Sequence, residues 1–201
     1  MNGRHHRGAR AFARSLCPMS APSFRFFLRE QTRPAHERLD RLLGPIDSAA
    51  RYGAFLRASY AHRAAVERYL AEAAWPAPFG SWQPAVLLPL MERDLADLGL
   101  APPEVRPLDL SKDISRLIGV AYVQEGSSLG ARLIVRMAAG LAFDGSHGAR
   151  HLAAQAQGLS NWQSFVGIID GLSGVDRAAA VEAAVAAFDH AAAAMKDNGF
   201  S

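Results

Sequence analysis

From residue 20 onward apolar side chains recur at three- and four-residue steps, and no stretch sustains a two-residue alternation. The chain is therefore expected to be all-α, a single multi-helical domain. A first helix is predicted from about Ser23 to Leu43, where Gly44-Pro45 supplies a left-handed stop and a residue that cannot continue the helix. Pro34 inside it removes one backbone bond at a cost of about 3 kcal/mol, which predicts a bend or a fresh start near Thr32. Asp47-Ser48 caps a second helix reaching Ala74, and a third runs from about Pro84 to Leu98, with Pro89 calling for a kink or a later start. Beyond the Pro102-Pro103 and Pro107 loop come a long helix, short ones near Ala149 to Gln157 and Ser160 to Ile169, and an alanine-rich closing helix from about Val175 to Lys196. The alanines read as helix propensity, and Asn198-Gly199 as the stop.

The long helix is the most informative. Ser111 and Asp113 give it a capped, acidic start, no proline falls between Ser111 and Gly140, and its apolar set runs through Gly119, Gly126 and Gly130 to Gly140. Each interior glycine weakens a helix by about 1 kcal/mol relative to alanine, so four of them ask for a reason. Gly119, Tyr122, Gly126 and Gly130 follow at steps of three, four and four and share one face, a strip of bare backbone. Such a strip admits either a closely crossing helix or a flat, bulky ligand. A membrane span is excluded, because Gln124, Glu125, Arg132 and Arg136 interrupt the apolar run.

Half of the 201 residues are hydrophobic, enough for one domain with a substantial core. The sequence pI of 9.4 comes from the first twenty residues, which hold four arginines and no acid. Past them 18 basic residues face 19 acidic ones, so the folded part is near neutral and lacks the basic footprint of a nucleic-acid binder. Residues 1–20 contain no apolar run of the kind a secretory signal needs. They are expected to form a disordered basic tail ahead of a helical domain spanning 21–201, or to be a start-site artefact with Met19 as the first residue. The single cysteine, Cys17, permits no internal disulfide and is compatible with a reducing cytoplasm. Neither a nucleic-acid nor a membrane partner is expected.

Among seven histidines, His36 stands out by context. Steps of four and three put Arg29, Arg33 and His36 on one helical face, and Asp40, one turn further, is placed to accept the proton on the second ring nitrogen. The plainer alternative is a solvated His36–Asp40 pair beside two ordinary surface arginines. His147 and His151 have metal-ligand spacing, but the flanking Gly145 and Gly148, and the lack of an intervening glutamate, leave the pair structural or idle. The chain has no Glu-x-x-His pair of a di-iron bundle, no nucleophile elbow and no phosphate loop.

Two strings carry a family resemblance. Leu28-Arg-Glu-Gln-Thr-Arg-Pro-Ala-His-Glu-Arg-Leu-Asp40 resembles the proximal helix of heme oxygenases, and Tyr122-Val-Gln-Glu-Gly-Ser-Ser-Leu-Gly130 resembles the distal helix of the bacterial members. Tyr52-xx-Phe-Leu-xxx-Tyr60 supports them, and the likeness covers roughly residues 24 to 190. The resemblance implies a heme oxygenase fold with its ligand held between a proximal and a glycine-rich distal helix. It implies oxidative cleavage of heme to biliverdin, carbon monoxide and ferrous iron, in an enzyme of the phytochrome-associated type. By that likeness His36 is the neutral iron ligand, Arg29 and Arg33 are the cations at the heme propionates, and Tyr122 is a further heme contact. Gly126 and Gly130 bring backbone close to dioxygen, and Ser127, standing where animal relatives place an aspartate, belongs to a distal water network. Heme is then both substrate and cofactor; dioxygen and an external ferredoxin-like or other reductase are partners, and a bacterial phytochrome is the recipient of the product. Cys17-Pro18 also resembles a heme-regulatory dipeptide, too short a motif to weigh. One departure stands out: no Lys or Arg lies between Gln155 and Asp176, so a late-helix contact to a propionate is missing or falls to Arg150 or Arg177. A heme carrier or sensor on the same fold, and a helical domain with an iron-free pocket, are the rival readings.

Overall fold

The computed structural model describes residues 23–201. The expected tail, with Cys17-Pro18, lies outside the described residues. These form α1 (Phe24–Leu43), α2 (Ala49–Ala71), a 3-10 turn (Ala77–Phe79), α3 (Leu88–Asp97), α4 (Ile114–Ala139), α5 (Arg150–Ala156), α6 (Leu159–Asp170) and α7 (Arg177–Asp197), and include no strand. The helix starts follow local chemistry. Ser48 accepts a hydrogen bond from the Arg51 amide at 3.2 Å, Asp113 from the Arg116 amide at 3.1 Å, and Asp176 from the amides of Ala178 and Ala179 at 3.0 and 3.1 Å. Pro89 sits in the first turn of α3, so the later of its two expected starts is the observed one.

The expected restart near Thr32 does not occur: α1 runs unbroken through Pro34. Pro34 and Glu30 are both exposed, so the carbonyl that loses its partner is left to water and the proline costs little. Gly140 is likewise not an interior glycine but the residue that ends α4, with helical backbone angles.

The largest packing surface joins α4 to α7, and α7 also lies against α1 and α2. Its buried face is made of small residues, among them Ala180, Ala183, Ala184 and Ala187, each at most 1 % exposed. The alanines are thus chosen for close approach and not only for propensity. Gly119 is where the axes come nearest. A Cβ there would overlap the Ala180 carbonyl oxygen and stand 3.0 Å from the Ala184 nitrogen. At this position the glycine strip serves a helix crossing. By length and composition α7 could cross a membrane, yet half of its apolar window is buried inside this bundle.

Segment 80–87, which has no regular structure, is held by buried side chains. Glu67 Oε1 accepts from the Leu87 amide and Glu125 Oε1 from the Ala85 amide, both at 2.8 Å, while Arg63 donates to the Ala85 carbonyl at 2.8 Å and to Glu67 at 2.7 Å. Between α2 and α7, His62 Nδ1 and His190 Nδ1 lie 3.2 Å apart, and His190 Nε2 is 3.0 Å from the Arg106 carbonyl.

Because the glycines differ in surroundings, alanine at each should act differently on the heme-free protein. Gly119→Ala is expected to cost at least about 3 kcal/mol through overpacking, roughly 6–12 °C in Tm. Gly130→Ala, whose Cβ would meet nothing within 4 Å, should leave Tm unchanged or raise stability by up to about 1 kcal/mol. Thermal melts followed by circular dichroism check both.

Candidate active site

The polar face of α1 and the glycine face of α4 line one cavity of about 940 Å³, within the range of small-molecule and cofactor sites. From α1 it receives Arg29, Arg33 and His36, and from α4 Tyr122, Gly126, Ser127 and Gly130, so every residue expected at the site from sequence lines the same space. Phe188 and Met195 of α7 add to an apolar lining.

His36 Nδ1 is 2.8 Å from Asp40 Oδ2. A carboxylate can only accept, so in the neutral ring the hydrogen sits on Nδ1 and the lone pair is left on Nε2. The ring stands edge-on to Phe188 at 5.5 Å, which limits its swing. Opposite, a Cβ at Gly130 would meet no atom within 4 Å, and one at Gly126 would touch the Trp162 indole at an ordinary 3.5 Å. Trp162, on α6, also lies 5.4 Å from the Tyr122 ring. Burial pushes the Tyr122 phenol above its usual range, with the Arg29 charge pulling the other way, so it stays neutral. Ser127 donates its hydroxyl hydrogen to the Gln124 carbonyl at 2.5 Å and accepts from Gln155 Nε2 at 2.6 Å.

The departure noted in the sequence has a structural answer. Arg150 is committed to Asp94, at 3.1 Å, and to Asp97, while Arg177 lies over the rings of Phe24 and Phe27. Neither lines the cavity, so neither serves as the spare cation. Arg25 does line it, one turn before Arg29; its guanidinium rests 4.4 Å from the Phe26 ring, with Nε buried and unpartnered. Extending the step of four back from Arg33 through Arg29 would have found it.

His62 and Arg63 from α2 and His151 from α5 also line the cavity. The His147-xxx-His151 spacing does not build a metal site. His147 Nδ1 is 3.5 Å from Asp97 on the surface, while His151 is buried with Nδ1 2.7 Å from Asp94 Oδ2. Among the described residues no cluster of three His, Cys, Asp or Glu side chains could hold a metal ion. Asp94, completely buried, also accepts from the amides of Arg150 and His151 at 3.0 and 2.9 Å. Burial works against its charge, but these bonds together outweigh it and hold its carboxyl below the usual range; burial pushes the His151 imidazole down as well.

A deep apolar cavity with three guanidinia on one helix, an imidazole whose free nitrogen is fixed by a carboxylate, and bare backbone opposite suits a flat, anionic, metal-bearing macrocycle. Comparison with known proteins agrees. No family model matches the chain. Heme oxygenase PigA of Pseudomonas aeruginosa is 35 % identical over 149 residues, which cover 70 % of this chain and 74 % of that protein. The NO- and CO-bound heme oxygenase of Neisseria meningitidis superposes with a TM-score of 0.76 at 26 % identity, over 90 % of this chain and 94 % of that one. The chain is an all-α heme-degrading protein, and it belongs to the heme oxygenase family, oxidoreductases that take heme as substrate and prosthetic group and convert it to biliverdin.

The Asp94 lock has a testable pH signature. A carboxylate whose folded pKa is depressed contributes stability above its unfolded value and loses it as pH falls through the folded one. Asp94→Asn is therefore expected to cost about 2–3 kcal/mol near neutral pH. The gap to the parent should hold across the neutral range and narrow only as pH drops below 3.8, which urea denaturation at a series of pH values measures.

Proposed function

We propose that the cavity between α1 and α4 is the heme site, with His36 as the proximal ligand. The observation that carries this reading is the 2.8 Å contact of His36 Nδ1 to Asp40 across from the open backbone of Gly130. Asp40 would hold the ring in the tautomer that leaves Nε2 free, so that His36 would offer a heme iron a neutral imidazole nitrogen. Arg29 and Arg33, with Arg25 ahead of them, supply cations on one face for the two carboxylates of the ring edge. Tyr122 and Trp162 back the distal helix, and the missing side chains at Gly126 and Gly130 let backbone lie against the substrate.

When bound, heme supplies both the iron that activates dioxygen and the ring that is opened to biliverdin, carbon monoxide and ferrous iron. The chain's part on the distal side is to withhold a strong acid. Ser127 has given its hydrogen to the Gln124 carbonyl, so what it offers the cavity is an acceptor that orders water. That arrangement would keep the Ser127 hydrogen from acting as a proton donor toward bound heme. The resemblance of the two helical strings extends the reading to partners: dioxygen, a ferredoxin-like or other external reductase, and a bacterial phytochrome as acceptor of biliverdin, in the cytoplasm. The near-neutral folded part, 18 basic against 19 acidic residues past the tail, supports a small-molecule and protein clientele with no nucleic acid.

Purified protein titrated with hemin is expected to develop a histidine-ligated Soret band, and with reductant and air to bleach it into a biliverdin spectrum. A band that forms and persists marks a carrier or sensor; no band at all refutes the site. His36→Ala should keep the parental Tm and lose reductant-driven turnover by at least about 100-fold. Single alanine substitutions at Arg29 and Arg33 should each weaken hemin binding by about 1–3 kcal/mol, read by the same titration; unchanged affinity in both would make them plain surface charges.

A further inference from the structure

The cavity is also lined by a group that the proposed reaction leaves unused. His151 forms part of its inner wall and is only 2 % exposed. A neutral imidazole has one donor and one acceptor. Asp94 Oδ2, 2.7 Å away, can only accept, so the hydrogen is on Nδ1 and Nε2 carries a lone pair. That Nε2 is buried and has no partner in the protein. Buried acceptors in folded proteins are almost always paired, with ordered water where no protein group reaches them.

The neighbouring groups are otherwise engaged. Asp94 and Asp97 of α3 take the Arg150 guanidinium, and Arg63 of α2 is spent on Glu67 and the Ala85 carbonyl. Gln124 of α4, with its amide oxygen turned toward Arg63, accepts from Arg63 Nη2 and Nε. His62 of α2 faces His190. Four residues after His151, on the same face of α5, Gln155 lines the cavity too and gives its amide hydrogen to Ser127, next to Gly126. One short helix thus brings two polar side chains to the cavity. One is bonded to the serine between the glycines, and the other ends in an unsatisfied acceptor.

We propose that His151 is a positioning residue of the heme oxygenase reaction: its Nε2, oriented by Asp94, accepts a hydrogen bond from a cavity water. That water heads a chain running past Gln155 and Ser127 to the backbone at Gly126 and Gly130. The role rests on the heme oxygenase reading; the state of the ring does not.

Two measurements test it. In the heme-free parent, long-range proton–nitrogen NMR of the imidazoles should show His151 as the neutral Nδ1–H tautomer, with Nε2 hydrogen-bonded, from about pH 5.5 to 8.5. An Nε2–H tautomer, or titration within that range, overturns the proposal. His151→Asn keeps an N–H for Asp94 but has no acceptor at the ε position. It should lower kcat for biliverdin formation by roughly tenfold while KM and hemin affinity stay within about twofold. Parental kcat in that variant, or a loss that falls equally on hemin affinity and Tm, reduces His151 to a packing group. If the parent itself forms no biliverdin, the heme oxygenase reading fails and the role with it, while the NMR result still stands on the imidazole.

Discussion

The close crossing of α4 and α7 is the constraint on which the rest of the molecule depends. A helix pair can come this near only if one side has no Cβ at the crossing and the other presents methyl groups, and Gly119 over the Ala180–Ala184 turn meets both conditions. Small side chains bury little apolar area each, so the pair gains its stability from many short contacts rather than from a few large residues. From that line α7 reaches both walls of the cavity. It fixes α4 at Gly119, and it fixes α1 through Phe188 against His36 and through an Arg38–Asp189 pair at 2.9 Å. The spacing between imidazole and glycine face is thereby set by a helix that contributes little polar chemistry to the site.

A second layer of order is ionic. Arg63, Glu67 and Glu125 are buried, and burying charge is rarely a gain in itself. Here the charges do for segment 80–87 what a ladder of backbone bonds does elsewhere, supplying acceptors and donors to amides and a carbonyl that have no helical partner. Burial raises the Glu125 carboxyl despite the Ala85 amide and the Asn161 side chain that bond it. Arg63 also lines the cavity, so one of the groups that tie down an irregular segment adds polarity to the cavity wall.

How much of this was legible in the sequence varies with range. Helix positions were, although the Asp176 cap went unread, and so were the starts at Ser48 and Asp113, because these side chains act within three residues of themselves. So was the α1 face, since Arg29, Arg33, His36 and Asp40 meet through helical spacing alone. Of the two outcomes expected at Pro34 the fresh start is absent, because exposure, which decides whether a lost bond matters, is not written in local sequence. The purpose of the α7 alanines was hidden for a related reason: propensity and close packing call for the same residue. The glycine strip held two answers at once, a crossing at Gly119 and open space at Gly130, which only their neighbours distinguish. His151 was hardest to see, its partner Asp94 being 57 residues away.

The His62–His190 pair links the cavity wall to the outside of the bundle through protons alone. The Arg106 carbonyl can only accept, so it places a hydrogen on His190 Nε2 and leaves Nδ1 of a neutral ring as an acceptor. His62 must then donate from its own Nδ1. Burial, the facing His190 and the Arg63 charge pull His62 down to about 3, so it stays uncharged and its remaining lone pair belongs to Nε2. The polarity of one patch of the cavity wall is thus set from a surface loop, through hydrogen positions that diffraction maps at ordinary resolution do not register.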